Sequence, residues 1–304
     1  MNKIAITTGD PNGIGAEITI KALKQLDISE DKVVLISNKK ILDFYGTLDK
    51  NYEIIEIPYN ENVEPGQATK FAGEFSFQSL KKVCKLKPKA IVTAPVAKNA
   101  LHLAGHIYNG QTEILQKYLS HDNQLAEMLF VAKNFRVLLL TRHCALKDIN
   151  ITKDIVITKV QNLVKTFEKH FGIHNPKFAL CGFNPHSGED GILGTEEIDI
   201  LIPAVQELQK LGINITMPLP ADTLFVKAAK HYYKNEKDEF DCYIANYHDQ
   251  GLIPIKTVAG DKTVNTTIGL DIIRTSPGHG TAFDIAGKNI ASPEGMIAAI
   301  KQVL

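Results

Sequence analysis

The chain has 304 residues and a formal charge of zero, with 34 Lys and Arg against 34 Asp and Glu. That balance removes any global electrostatic case for nucleic acid or an anionic membrane and leaves only a local basic site. With 44% apolar and 22% charged residues, the chain can build a core and is not disordered.

Residues 3–8 are apolar and β-branched and read as a strand, not as a leader segment. The loop Gly9-Asp10-Pro11-Asn12-Gly13-Ile14-Gly15 follows, then helical spacing over 16–26. Strands are expected at 33–37, 53–57 and 90–93, with a helix at 75–86. Residues 128–132 and 135–141 read as strands joined at Lys133-Asn134, a hairpin. Apolar residues at Ile155, Val156, Val160, Leu163, Val164 and Phe167 predict an amphipathic helix over 152–170. A strand at 178–182, helices at 196–211 and 221–233, and strands at 242–246, 252–258 and 264–268 come next. Ser292-Pro293-Glu294 opens a last helix over 292–304, a capping residue followed by proline at the first helical position. The longer apolar runs, 128–132 and 296–300, are far too short to cross a bilayer. Strand and helix alternate, so the class is α/β with a mostly parallel sheet. The hairpin breaks that rhythm and marks the start of a second subdomain.

In open α/β sheets ligands bind beyond the carboxyl ends of the strands, and there the loops are dense in polar residues. The glycines of the first loop are spaced G-x-x-x-G-x-G, which is not the dinucleotide fingerprint, and no other segment supplies one. The loop is either a tight turn or a place where backbone amides approach a ligand. His143, His186 and His248 each follow a strand end. Three histidines with open positions make a working site for Zn²⁺ or a similar ion, but this spacing equally fits three unrelated loop histidines. Asp249 beside His248 is a ligand or the partner that orients it. Lys98, Lys256 and Arg274 near strand ends point to an anionic substrate group, although each alone is more often a solvated charge. Cys84, Cys144, Cys181 and Cys242 form no C-x-x-C pair and read as buried free thiols in a reducing cytoplasm. Tyr232-Tyr233-Lys234 and the charge run 81–89 read as solvated surface.

Taken in order, several motifs resemble the 4-hydroxythreonine-4-phosphate dehydrogenase family of pyridoxal 5′-phosphate biosynthesis. They are Thr8-Gly9-Asp10-Pro11-Asn12-Gly13-Ile14-Gly15-Ala16-Glu17, Thr93-Ala94-Pro95-Val96-Ala97-Lys98, the segment 182–189 around Asn184-Pro185-His186, Pro220-Ala221-Asp222-Thr223, Tyr247-His248-Asp249-Gln250-Gly251 with Pro254-Ile255-Lys256, Ile273-Arg274-Thr275-Ser276 and His279-Gly280-Thr281-Ala282. The resemblance implies an isocitrate/isopropylmalate dehydrogenase-like fold, with two α/β subdomains flanking a central cleft. One would span 1–126 plus 264–304; the other, 127–263, would carry much of a homodimer interface. It also implies a divalent metal (zinc, magnesium or cobalt) on His143, His186 and His248, shared between two subunits, and substrate contacts from Gln111, Thr112, Lys256, Asn265 and Arg274. The family has G-H-T-E where this chain has Gly110-Gln111-Thr112-Glu113. Gln111 hydrogen-bonds but carries no charge and relays no proton at neutral pH. Residues 279–290 are similar to the adenosine-binding loop of isopropylmalate and isocitrate dehydrogenases. That likeness implies cofactor contacts from His279, Gly280, Thr281, Ala282, Asp284 and Ala286, and accounts for the missing glycine fingerprint.

The activity so implied is the NAD- or NADP-dependent oxidation and decarboxylation of 4-phosphohydroxy-L-threonine to 3-amino-2-oxopropyl phosphate in the cytoplasm, with Lys256 or Asp249 as the general base. The nearest rival is a paralogous dehydrogenase of 4-phospho-threonate or 4-phospho-erythronate. A metal-dependent hydrolase or acyltransferase would leave the 279–290 loop unexplained, and a non-catalytic binding protein would leave the metal and cationic residues unexplained. Neither nucleic acid nor membrane is an expected partner.

Overall fold

The computed structural model describes residues 1–121 and 124–304. They form two compact units, Met1–Ala126 with Val264–Leu304, and Glu127–Thr263. In chain order the first unit begins with β1 (Ile4–Thr7), α1 (Gly15–Leu26), β2 (Val33–Ser37), α2 (Lys39–Tyr45), β3 (Glu53–Glu56), α3 (Lys70–Leu86), β4 (Ala90–Thr93), α4 (Lys98–Leu103) and α5 (Gln111–Leu119). The second contains β5 (Glu127–Ala132), β6 (Phe135–Leu139), α6 (Lys153–Thr166), β7 (Lys177–Leu180), α7 (Ile202–Lys210), β8 (Asn214–Ile215), α8 (Ala221–Lys234), β9 (Cys242–Ala245) and α9 (His248–Ala259). The chain then returns to the first unit with β10 (Val264–Ile268), β11 (Arg274–Pro277) and α10 (Glu294–Lys301).

In the first unit the strand order is β3-β2-β1-β4-β11-β10, parallel except for the β10–β11 pair. Every residue of β1, β2 and β4 is buried, as expected of parallel strands covered on both faces. Alternate residues feed opposite cores. Ile4, Ile6, Leu35 and Val92 pack with α10 through Met296 and Ile300, whereas Ala5, Val34, Ile36 and Ile91 pack with Phe75 and Val83 of α3. The Thr69 side chain accepts the Ala72 amide and caps the start of α3.

The second unit has the order β5-β6-β9-β7-β8, in which only β5–β6 is antiparallel. These two strands form the expected hairpin, with Lys133 left-handed at φ +54° in the turn. Thr152 caps α6 by accepting the Ile155 amide. The helix ends in a π turn over Phe167–Phe171.

Four readings need correction. Residues 252–258 are not a strand; they lie within α9, where Leu252 and Ile255 pack on Val137, Leu139 and Tyr243. A short apolar run has no period that separates a buried strand from a buried helix, and Pro254 inside it favoured the wrong choice. Cys84, Cys181 and Cys242 are buried, but Cys144 is exposed. Tyr232 packs against the second unit's core instead of lying fully in solvent. Finally, Pro293 is the capping position of α10, one residue later than the sequence reading placed the cap.

Candidate active site

In the second unit β6, β9 and β7 lie side by side and parallel, so their carboxyl ends share one edge. His143 follows β6, His186 follows β7, and His248 opens α9 just beyond β9. Asn246 ties the three strand ends together. Its carbonyl accepts both the amide and the hydroxyl of Thr141, at 3.1 and 2.7 Å. Its side-chain amide donates to the Cys181 carbonyl at 2.8 Å. Gln250 closes the lattice, accepting the Asn246 amide and donating to the Gly182 carbonyl, both at 2.7 Å.

The His143 and His248 rings stand 5.6 Å apart, centre to centre. His186 lies in a turn over Pro185–Gly191 in which His186, Ser187, Glu189 and Asp190 all have positive φ. His143 also has φ +28°. Such backbone costs about 1–3 kcal/mol per residue and clusters at functional sites. His186 Nδ1 pairs with Glu189 at 2.6 Å, and His248 Nδ1 pairs with Asp249 at 2.7 Å. The Glu189 carboxylate holds the His186 imidazolium pKa above its ordinary value. Among the described residues of one chain, no three His, Cys, Asp or Glu side chains converge as a metal cluster.

In the first unit the carboxyl end of β4 is the meeting point. Arg274 donates from Nε and Nη2 to the Thr93 hydroxyl at 2.9 and 2.6 Å, and from Nη1 to Thr267 at 3.4 Å. It is 3% exposed. These hydrogen bonds go to hydroxyls, and burial pulls its pKa down to about 9, partly opposed by the Glu113 carboxylate. The β10–β11 register places Asn265 opposite Ser276 and Thr267 opposite Arg274, so these four share one face of the pair. Asn265 Oδ1 is buried without a hydrogen-bond partner.

One residue beyond Thr93, the Ala94 carbonyl accepts Gln111 Nε2 at 3.1 Å. A carbonyl can only accept, so this contact fixes the flip of the amide and makes the other atom Oε1. Gln111 Oε1 is buried and unpartnered. Thr112 is buried in the first turn of α5. Thus Gln111 and Arg274 converge on the Thr93–Ala94 segment. Lys256 is exposed in the last turn of α9, in the second unit.

Asp10 reaches the same strand end from β1. Its amide donates to the Pro95 carbonyl at 2.9 Å. Its carboxylate accepts the amides of Asn12 and Ala97, and burial raises its pKa to about 6. Gly9 has φ +71°, and a Cβ there would stand 2.2 Å from the Pro95 carbonyl oxygen, so no other residue fits. The Gly13 and Ile14 amides are bonded to the Asp10 and Thr281 carbonyls. Residues 10–14 therefore form a tight turn in which the Asn12 and Gly13 amides bond within the loop and the Ile14 amide bonds to Thr281.

The segment around His279, Gly280, Thr281, Ala282, Asp284 and Ala286 lies along the start of α1. Ala286 is buried, Asp284 is exposed, and space is open where a Cβ on Gly280 would stand. Both implied groups fit the residues present. His186 and His248 each have Nδ1 on a carboxylate, which leaves Nε2 as the ligating atom, the usual arrangement of metal-bound imidazole. The exposed Asp284 carboxylate can accept ribose hydroxyls beside an open glycine.

Sequence reading singled out the three histidines but not the residues that hold their loops. In the sequence Asn246 reads only as the end of the strand at 242–246, Gln250 only as part of a motif, and Asp10 only as part of the first loop and its motif. Their one available signal was an uncharged or paired polar side chain directly after a buried strand.

Residues 2–303 match the family model described as pyridoxal phosphate biosynthetic protein PdxA. A 4-hydroxythreonine-4-phosphate dehydrogenase of Sulfurihydrogenibium sp. (strain YO3AOP1) is 40% identical, the match covering 99% of this chain and 97% of that one. A D-threonate 4-phosphate dehydrogenase of Pectobacterium atrosepticum is 36% identical over 98% and 97%. Among solved structures, a 4-hydroxythreonine-4-phosphate dehydrogenase from Klebsiella pneumoniae superposes with TM-score 0.86 at 32% identity, covering 100% and 98%. Isocitrate dehydrogenase from Methylococcus capsulatus, at 14% identity and TM-score 0.54 over 100% and 85%, shares the fold. The chain is a dehydrogenase of the isocitrate dehydrogenase-like fold, and it belongs to the pyridoxal phosphate biosynthetic protein PdxA family.

Proposed function

We propose that the chain oxidises and decarboxylates 4-phosphohydroxy-L-threonine to 3-amino-2-oxopropyl phosphate, as a cytoplasmic homodimer using NAD or NADP and a divalent metal. The observation that carries this reading is Arg274, a buried guanidinium bonded to hydroxyls. A buried cation of this kind is completed by an anion, and a carboxylate or phosphate matches its planar fork. The substrate carries both.

The chain's own groups then have distinct tasks. Arg274, preset by Thr93 and Thr267, binds an anionic end of the substrate. Gln111 Oε1 accepts a hydrogen bond from a substrate donor such as the amino group, while Thr112 and Asn265 complete the polar lining. His143, His186 and His248 would hold the metal, which when bound supplies Lewis acidity at the reacting hydroxyl and carbonyl oxygens. The segment 279–286 would seat the nicotinamide cofactor, which accepts the hydride. Asp249 orients His248, which favours Lys256 for removing the hydroxyl proton. Oxidation gives a β-keto acid, whose carboxylate leaves as carbon dioxide while the electron pair passes to the adjacent carbonyl. The enolate carbon then takes up a proton, which protonated Lys256 can return, to give the ketone.

A second reading is favoured by one residue. Gln111 stands where the family has histidine, and the relatives include one named D-threonate 4-phosphate dehydrogenase. The test is NADH or NADPH absorbance with NAD⁺ or NADP⁺, with Mg²⁺, Zn²⁺ or Co²⁺, and each acid in parallel. Metal-dependent signal favouring the amino acid supports the first reading. Signal only with aminoless 4-phospho-threonate transfers the same chemistry to that substrate, and silence with both overturns the two together.

A further inference from the structure

We propose that Asn12 is a cofactor-positioning residue, acting through a strap at residues 64–67 that braces the 281–287 segment; this rests on the cofactor reading above. Asn12 is fully buried in the turn between β1 and α1. Its Oδ1 accepts the Glu64 amide at 2.8 Å, its Nδ2 donates to the Gln67 carbonyl at 2.9 Å, and its own carbonyl accepts the Gly66 amide at 2.8 Å. One side chain and one peptide thus hold both ends and the middle of the strap.

The far side of the strap lies against the candidate cofactor segment. Gly66 has φ +82°, and a Cβ there would stand 2.8 Å from the Phe283 carbonyl oxygen. A Cβ on Gly287 would stand 2.9 Å from the Pro65 ring. On the near side the Ile14 amide donates to the Thr281 carbonyl at 3.1 Å. The segment's end is fixed separately, where Glu17 accepts the Ala291 amide at 2.8 Å. The stretch from 281 to 287 is therefore held between the α1 turn and the strap, and the strap is held by Asn12. Removing the Asn12 side-chain amide loosens both ends of the strap, leaving only the backbone bond to Gly66, without touching any group proposed to meet the cofactor.

The test compares the wild-type chain with Asn12→Ala and with Asn12→Asp, which keeps the acceptor for the Glu64 amide and removes the donor to the Gln67 carbonyl. Cofactor affinity is read from NADH fluorescence, and backbone protection from hydrogen exchange. The expected result for Asn12→Ala is NADH bound about tenfold more weakly, on the order of what the two side-chain hydrogen bonds lost from the strap contribute. Exchange quickens at 64–67 and 281–287 but not in β1 or β2, and the substrate KM changes less than about twofold. Wild-type affinity and protection in a folded variant would overturn the proposal while leaving the cofactor reading intact. A wild-type chain that takes up no NADH or NADPH would overturn both. If Asn12→Ala does not fold, Asn12→Asp alone decides, because it releases the Gln67 end of the strap without touching Gly66 or Phe283.

Discussion

The Asp10 carboxyl and the Arg274 guanidinium are both buried beside the carboxyl end of β4, and desolvation favours the neutral form of each. For Asp10 the consequence is a measurable pH dependence. Folding raises its pKa from 3.8 to about 6, so between those values the folded state holds a proton that the unfolded chain releases. The stabilisation from that proton is complete below pH 3.8 and is lost as pH rises through about 6. The shift corresponds to about 3 kcal/mol at about 1.4 kcal/mol per pKa unit. Asp10→Asn keeps an acceptor for the Asn12 and Ala97 amides and removes the titration. Urea unfolding at pH 3.5 and pH 7.5 should therefore show the variant gaining about 3 kcal/mol on wild type between the two. A stability difference that stays constant with pH would refute the Asp10 assignment.

At the scale of elements, the alternation of strand and helix was readable because fully apolar strands and 3.6-period helices leave distinct patterns, as in β2 and α6. Residues 252–258 were not, since Leu252, Ile253, Ile255 and Val258 satisfy either period when the segment is short. Short helices such as α2 and α4 are not read from the sequence, because six or seven residues are too few to display a helical period, nor is β11, whose Arg274-Thr275-Ser276-Pro277 carries no apolar residue for a pattern to detect. The three histidines were visible as strand-end residues, but the Asn246–Gln250 lattice was not, because its partners at Thr141, Cys181 and Gly182 are distant in sequence. The same holds for Glu127 at the start of β5. It is 1% exposed and paired with Lys159 of α6, and burial lowers the Lys159 pKa against the pull of Glu127. A carboxylate opening a strand looks like solvated surface until the helix that covers it is known. Lys159→Met would leave Glu127 buried without its counter-charge, a loss of about 3–5 kcal/mol in chemical unfolding. Replacing both, with Glu127→Leu added, should recover much of that loss. A single variant as stable as wild type would show that the pair does not anchor β5 to α6.

For the whole molecule, the proposed metal site raises the test of whether its histidines come from one chain or from two. His143 and His248 lie close in a single copy, while His186 stands on a separate, left-handed turn. If the metal is shared between subunits, the proposed site takes its histidines from two copies, and symmetry gives each dimer two such sites. His186→Ala and His248→Ala chains should each be inactive alone. In a hybrid, the intact His186 of one chain meets the intact His248 of the other at one site, and the second site carries both defects. Random pairing makes half the dimers hybrids with half their sites whole, so a mixed preparation should recover about a quarter of wild-type turnover. The recovered activity should remain metal-dependent and should rise toward half in purified hybrids. If all three histidines serve one site within one chain, no mixture recovers anything, and the shared centre is wrong even where each histidine proves essential.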